Sequence, residues 1–144
     1  MESILHDMAS LMENRDQTLK YDLPKKPVSA VLDSEYIRMA IGNIVDNASK
    51  YTAPGKTITA TVKTASSNRI LVSIRDEGVG IAKQDTGKLF KKFSRIDNPL
   101  SVKVGGTGLG LYWSNEVVQL HGGSIDVESE LGVGTTFKVF LPAR

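Results

Sequence analysis

The chain has 144 residues, 40% of them hydrophobic, with 18 basic and 16 acidic side chains and a formal charge of +2. That is the length of about one domain with enough apolar material for a core, and the charge is too small to argue for nucleic-acid or membrane binding. There is no cysteine, which excludes a disulfide framework and thiolate metal sites. No apolar stretch approaches membrane-spanning length. The segment Met1–Asp7 lacks the basic and apolar regions of a signal peptide, and so abrupt a start suits a piece of something larger.

In chain order, Ile4, Leu5, Met8, Leu11 and Met12 fall at helical spacing, which predicts a short amphipathic helix over 2–13. Residues 17–23 alternate like a strand, Pro24 and Pro27 then break the chain, and Val28–Leu32 reads as a second short strand. Asp33 or Ser34 caps the next helix, with Glu35 suited to its positive first turn. That helix buries Ile37, Ala40, Ile41, Ile44, Val45 and Ala48 and ends before Pro54-Gly55. Two strands, 56–64 and 69–76, read as a hairpin. Short helical turns carrying Leu89, Phe90, Phe93 and Ile96 are expected over 82–98, followed by a polar, Gly-rich and mobile loop over 97–107. A helix from about Gly108 to His121 and two last strands, 124–129 and 134–141, complete the chain. Strands and helices do not strictly alternate, so a mixed sheet with helices on one face is expected, not a doubly wound parallel sheet.

Four patches carry chemistry. Asn43 and Asn47 stand at i and i+4 on one helical face, and Lys50 continues the stripe. Asn is unfavourable inside helices because its amide competes for backbone partners, so two of them point to amide oxygens ligating a hard cation, with Lys50 near a phosphate. Mg2+ prefers few protein oxygens together with phosphate and water. Asp76 closes a strand and precedes Gly78, Gly80 and Ile81. A carboxylate there can accept from an exocyclic amine, and the glycines let a flat ring approach the main chain. Residues 105–111 place four glycines (Gly105, Gly106, Gly108 and Gly110) around Thr107 and Leu109, ahead of a helix. Such a loop is an anion site by geometry and dipole, without the Lys-Ser/Thr of a Walker A loop or the βαβ setting of a dinucleotide fingerprint. Thr135 shares a strand face with Phe137, Val139 and Leu141, which makes it an inward hydroxyl. Each patch alone also has an ordinary reading as solvated amides, a turn, a linker or a strand threonine. His6 and His121 read as surface or capping residues.

In this order the patches resemble the catalytic ATP-binding domain of bacterial sensor histidine kinases. The N box resembles Asn43–Tyr51, the G1 box Asp76–Ile81, the F box Leu89–Asp97 and the G2 box Gly106–Gly110; the closing strand resembles Gly134–Pro142. The resemblance covers about 33–142 of a single domain over 1–144. It implies a two-layer α/β sandwich of the Bergerat type, with a mixed sheet, helices on one face and a flexible ATP lid over about 84–106. It implies further that Asp76 binds the adenine amino group and that Asn47 ligates Mg2+. Asn43 and Lys50 would lie near the phosphates, Tyr51 beside the adenine and ribose, and Arg95 within reach of the γ-phosphate.

The implied activity is transfer of the γ-phosphate of ATP to a histidine on a separate dimerisation domain, with a response-regulator receiver domain downstream. The chain itself is expected to be monomeric and cytoplasmic, in a parent anchored to a membrane. Two departures stand out. Nothing matches the family's phosphoacceptor motif, since Ile4-Leu5-His6-Asp7-Met8-Ala9 lacks the following Arg, Pro and long helical hairpin. The F box carries Lys91-Lys92 where an acidic-basic pair is usual. The alternatives are an ATPase of the gyrase or Hsp90 kind, an anti-sigma serine kinase, or a nucleotide-binding docking module without catalysis. The first two place a Glu where Asn43 stands.

Overall fold

A computed structural model describes residues 1–66, 68–95 and 108–144. Expectations for Ile96, for 97–107 including Gly105, Gly106 and Thr107, and for the rest of the lid beyond Arg95 lie outside the described residues.

The elements are α1 (Glu2–Asn14), β1 (Thr18–Asp22), α2 (Ser34–Lys50), β2 (Thr57–Ala65), β3 (Arg69–Asp76), a 3-10 helix (Lys83–Lys88), α3 (Gly110–Leu120), β4 (Ser124–Glu130) and β5 (Gly134–Pro142). The strands form one sheet in the order β1-β2-β3-β5-β4. β1 and β2 run parallel, which the long crossover through α2 permits. All other pairs are antiparallel. This is the mixed sheet the sequence predicts.

Alternation sets the core. Ile58, Ala60 and Val62 of β2, Ile70, Val72 and Ile74 of β3, and Phe137, Val139 and Leu141 of β5 are buried on one face. They join the stripes of the helices: Ile4, Leu5 and Met12 of α1, the six predicted residues of α2, and Val118 of α3. Asp33 is the α2 cap, its Oδ1 accepting from the N–H groups of Glu35 at 3.1 Å and Tyr36 at 3.2 Å. Ser114, fully buried on α3, donates to the Ala40 carbonyl at 3.0 Å and fastens α3 to α2. His121 caps the end of α3, with Nδ1 2.7 Å from the Val117 carbonyl.

Two local expectations are corrected. Residues 28–32 form no strand. Val28, Ala30 and Leu32 do pack against the core, so their alternation reports one buried face, while among the described residues the main chain of 28–32 pairs through the Arg144 N–H to the Ser29 carbonyl at 2.9 Å. The last helix starts at Gly110 and not at Gly108, because Gly108 sits at φ +72, outside helical space. Phe93 is exposed, whereas Phe90 meets Phe137 edge-on at 6.4 Å.

Candidate nucleotide-binding site

Register carries Asp76 inward. It follows Ile70, Val72 and Ile74 on the core face of β3 and stands opposite Thr135 of β5 and Ile58 of β2. A carboxylate thus closes an apolar row, at 5% exposure. Its Oδ1 accepts from the N–H groups of Gly78 at 2.9 Å and Thr135 at 3.2 Å. Burial pushes the Asp76 carboxyl up from 3.8 to about 6, against the pull of those two N–H groups. With Oδ1 held by the main chain, Oδ2 remains as the acceptor for an incoming donor.

The turn after Asp76 is wedged between α2 and the β4–β5 hairpin. The Val79 N–H reaches the carbonyl of Tyr51, the residue that caps α2, at 3.3 Å, and the Gly132 N–H reaches the Val79 carbonyl at 2.8 Å. A Cβ on Gly78 would lie 2.4 Å from the Tyr51 carbonyl oxygen. One on Gly80, at φ +71, would lie 2.0 Å from the Glu130 carbonyl oxygen. Both glycines are therefore demanded by the chain's own close packing. Ile81 is held through its N–H to Ser129 Oγ at 2.8 Å.

On α2, Asn43 and Asn47 are half-buried, and among the described residues neither side-chain amide has a hydrogen-bond partner. They remain available as hard oxygen donors of the kind Mg2+ takes together with phosphate and water. No group of three or more His, Cys, Asp or Glu among the described residues could hold a metal ion. Lys50 pairs with Asp46 at 3.0 Å. It borders a polar cleft of about 240 Å³ shared with Arg15, Gln17, Ser49 and Thr52. Gly108, Leu109 and Gly110 lead into α3, whose N-cap Leu109 supplies no side-chain cap, and the first N–H groups of a helix have no intrahelical acceptor. Arg95 is exposed at the edge of the described residues.

Sequence reasoning missed three contributors. Ser129 joins Ile81 to Thr135, whose hydroxyl lies 2.7 Å from its own. Glu77 accepts from the Thr57 N–H at 2.9 Å and ties the ends of β2 and β3. Gln17, buried, donates to the carbonyls of Ser49 at 2.8 Å and Thr52 at 2.6 Å and fixes the end of α2. Drawing the β4–β5 register across the 131–133 turn would have placed Ser129 opposite Thr135.

The site thus brings a buried carboxylate at a strand end close to the end of a helix carrying two half-buried amides, on a mixed sheet covered by helices. The chain belongs to the family of histidine kinase-, DNA gyrase B- and HSP90-like ATPases, whose model matches residues 32–144.

Among individual proteins it is similar to the sensor histidine kinase WalK of Bacillus subtilis (strain 168), 36% identical over 143 residues, which cover 99% of this chain and 23% of that protein. WalK of Staphylococcus aureus (strain MRSA252) is 36% identical over 92% of this chain and 22% of its own length. The chain thus spans about a quarter of the length of these curated relatives. In structure it is similar to the mycobacterial sensor histidine kinase MprB, with a TM-score of 0.83 at 27% identity, covering 99% of this chain and 93% of that one. Full-length ShkA, solved in complex with AMPPNP, gives a TM-score of 0.81 at 25% identity over 99% of this chain and 30% of that chain.

Proposed function

We propose that this chain is the ATP-binding kinase domain of a sensor histidine kinase, transferring the γ-phosphate of ATP to a histidine on a separate dimerisation domain. The single observation that carries the reading is Asp76. It is a buried carboxylate at the end of the sheet with one oxygen held by two main-chain N–H groups and the other left for a base amine.

In this reading Asn47 holds Mg2+ together with phosphate oxygens, and Asn43 lies beside it. Lys50 and Arg95 offset phosphate charge, and the N–H groups around Gly106, Thr107, Gly108, Leu109 and Gly110 cradle the anion. Tyr51, Gly78, Gly80, Ile81 and Thr135 shape the base pocket. Bound Mg2+ neutralises charge on the phosphates, and transfer rests on positioning and charge stabilisation more than on covalent help. Asn43 cannot act as a carboxylate base toward water, which supports a kinase over a hydrolase. The response regulator lies one step downstream. The domain works as a monomer in the cytoplasm, joined to a membrane-anchored parent; among the described residues no helix is long and apolar enough to cross a membrane.

The test is calorimetric titration of ATP and GTP into the wild type and Asp76→Ala. Losing a buried charge-assisted bond costs about 1.5–3 kcal/mol, so ATP should weaken roughly ten- to hundredfold. GTP, with a carbonyl where ATP has its amine, should bind poorly to the wild type. Equal ATP affinities for the two proteins would overturn the assignment.

A further inference from the structure

Ser129 of β4 stands directly across from Thr135 of β5. Its Oγ has three neighbours: the Ile81 N–H at 2.8 Å, the Gly134 carbonyl at 3.0 Å and the Thr135 hydroxyl at 2.7 Å. A hydroxyl offers one proton and two lone pairs. The Ile81 N–H takes one lone pair. If the Ser129 proton goes to Gly134, the remaining lone pair receives the Thr135 proton, and all three contacts are hydrogen bonds. If the Ser129 proton goes to Thr135 instead, it is no longer available to Gly134 and one contact is lost. The first arrangement satisfies more groups, and partly buried polar groups favour full satisfaction.

Thr135 is itself 6% exposed, and its main-chain N–H holds Asp76 Oδ1 at 3.2 Å. With its proton committed to Ser129, the Thr135 hydroxyl has only lone pairs left for the pocket. The Asp76 carboxylate and Thr135 Oγ1 then form an all-acceptor lining. We infer that Ser129 is a positioning residue for base specificity, orienting the Thr135 hydroxyl as an acceptor so that the pocket favours a base bearing an amine over one bearing a carbonyl. This rests on Asp76 as the base reader.

The experiment compares ATP and GTP affinities, by calorimetry with Mg2+, for the wild type, Ser129→Ala, Ser129→Thr, Thr135→Val, the Ser129→Ala/Thr135→Val double variant and Asp76→Ala, alongside their melting temperatures. In Ser129→Ala the Thr135 hydroxyl is free to turn its proton toward a carbonyl. The ATP-over-GTP preference should then fall about three- to tenfold, the scale of one hydrogen bond. Ser129→Thr should retain the preference because it keeps a hydroxyl. The double variant should lose no more than Thr135→Val alone, since the two hydroxyls act as one unit. A lowered melting temperature with an unchanged preference in Ser129→Ala would make Ser129 merely structural and overturn the proposal. Should Ser129→Ala fail to fold, Thr135→Val reads the same pair, and an unchanged preference there overturns it equally. A preference unchanged in Asp76→Ala would instead remove the base-reading assignment itself.

Discussion

At the scale of single residues, Asp76 ties stability to pH. Its carboxyl titrates near 6 in the folded chain, raised first by burial, against 3.8 when exposed. Between those values the folded state holds more protons than the unfolded one, so stability falls as pH rises from about 4 through 6 and then levels off. The penalty at neutral pH is on the order of 3 kcal/mol. Asp76→Asn keeps an oxygen for the Gly78 and Thr135 N–H groups and removes the charge. It should melt above the wild type at pH 7.5 and lose the slope between pH 4 and 6. A thermal scan series across that range checks it, and parallel slopes would place the titration elsewhere. Asn47 tests the proposed metal side of the site. Asn47→Ala should leave adenosine affinity intact and abolish the tightening of ATP binding by Mg2+, measured by Mg2+ titration. Asp76 was legible as the end of an apolar alternation ahead of Glu77-Gly78-Val79-Gly80, but only in company with the other patches, since alone it also reads as an ordinary turn. Ser129 was not, because a strand serine acquires meaning only once its cross-strand partner is known.

At the scale of elements, α2 shows how well local rules work when all of them agree. Its cap, its first-turn acid and its six-residue apolar stripe were all readable, and all six stripe residues are buried. Removing the cap by Asp33→Ala leaves two N–H groups without their acceptor and should cost about 1 kcal/mol. Urea unfolding reads this as a lower midpoint with an unchanged slope; an unchanged midpoint would show that solvent replaces the cap. The segment 28–32 shows the opposite case. Alternation revealed its buried face, but a strand also needs a ladder partner, and this segment pairs with none of the five strands. The start of α3 was misplaced for a related reason. A glycine is permitted in a helix, and only the packing of Gly108 against Phe93 and Ser94 shows that it adopts a left-handed conformation.

At the scale of the whole molecule, the two hairpins were visible as neighbours in sequence, but the pairing of β3 with β5 was not. It joins strands separated by the 3-10 helix, α3 and the chain between them, and non-local pairings of that kind leave no local signal. That pairing matters most for function, since it sets Asp76 against Thr135. The same global view bears on whether the chain can label itself. Its two histidines occupy unsuitable places. His6 is on α1, whose Ile4, Leu5 and Met12 are anchored in the core. His121 has both ring nitrogens engaged, Nδ1 with the Val117 carbonyl at 2.7 Å and Nε2 accepting from the Asp33 N–H at 3.2 Å. For His6 to reach the site beside Asp76, α1 would have to leave three buried side chains exposed, each contributing about 1.5–3 kcal/mol of burial. Incubated alone with labelled ATP and Mg2+, the chain should therefore carry no acid-labile phosphate. Adding a separate histidine-bearing dimerisation domain should place label on that partner, and Asp76→Ala should reduce the labelling in proportion to its lost ATP affinity at subsaturating ATP. Acid-labile label on the chain alone that disappears in His6→Ala would show that α1 detaches far more readily than its packing allows.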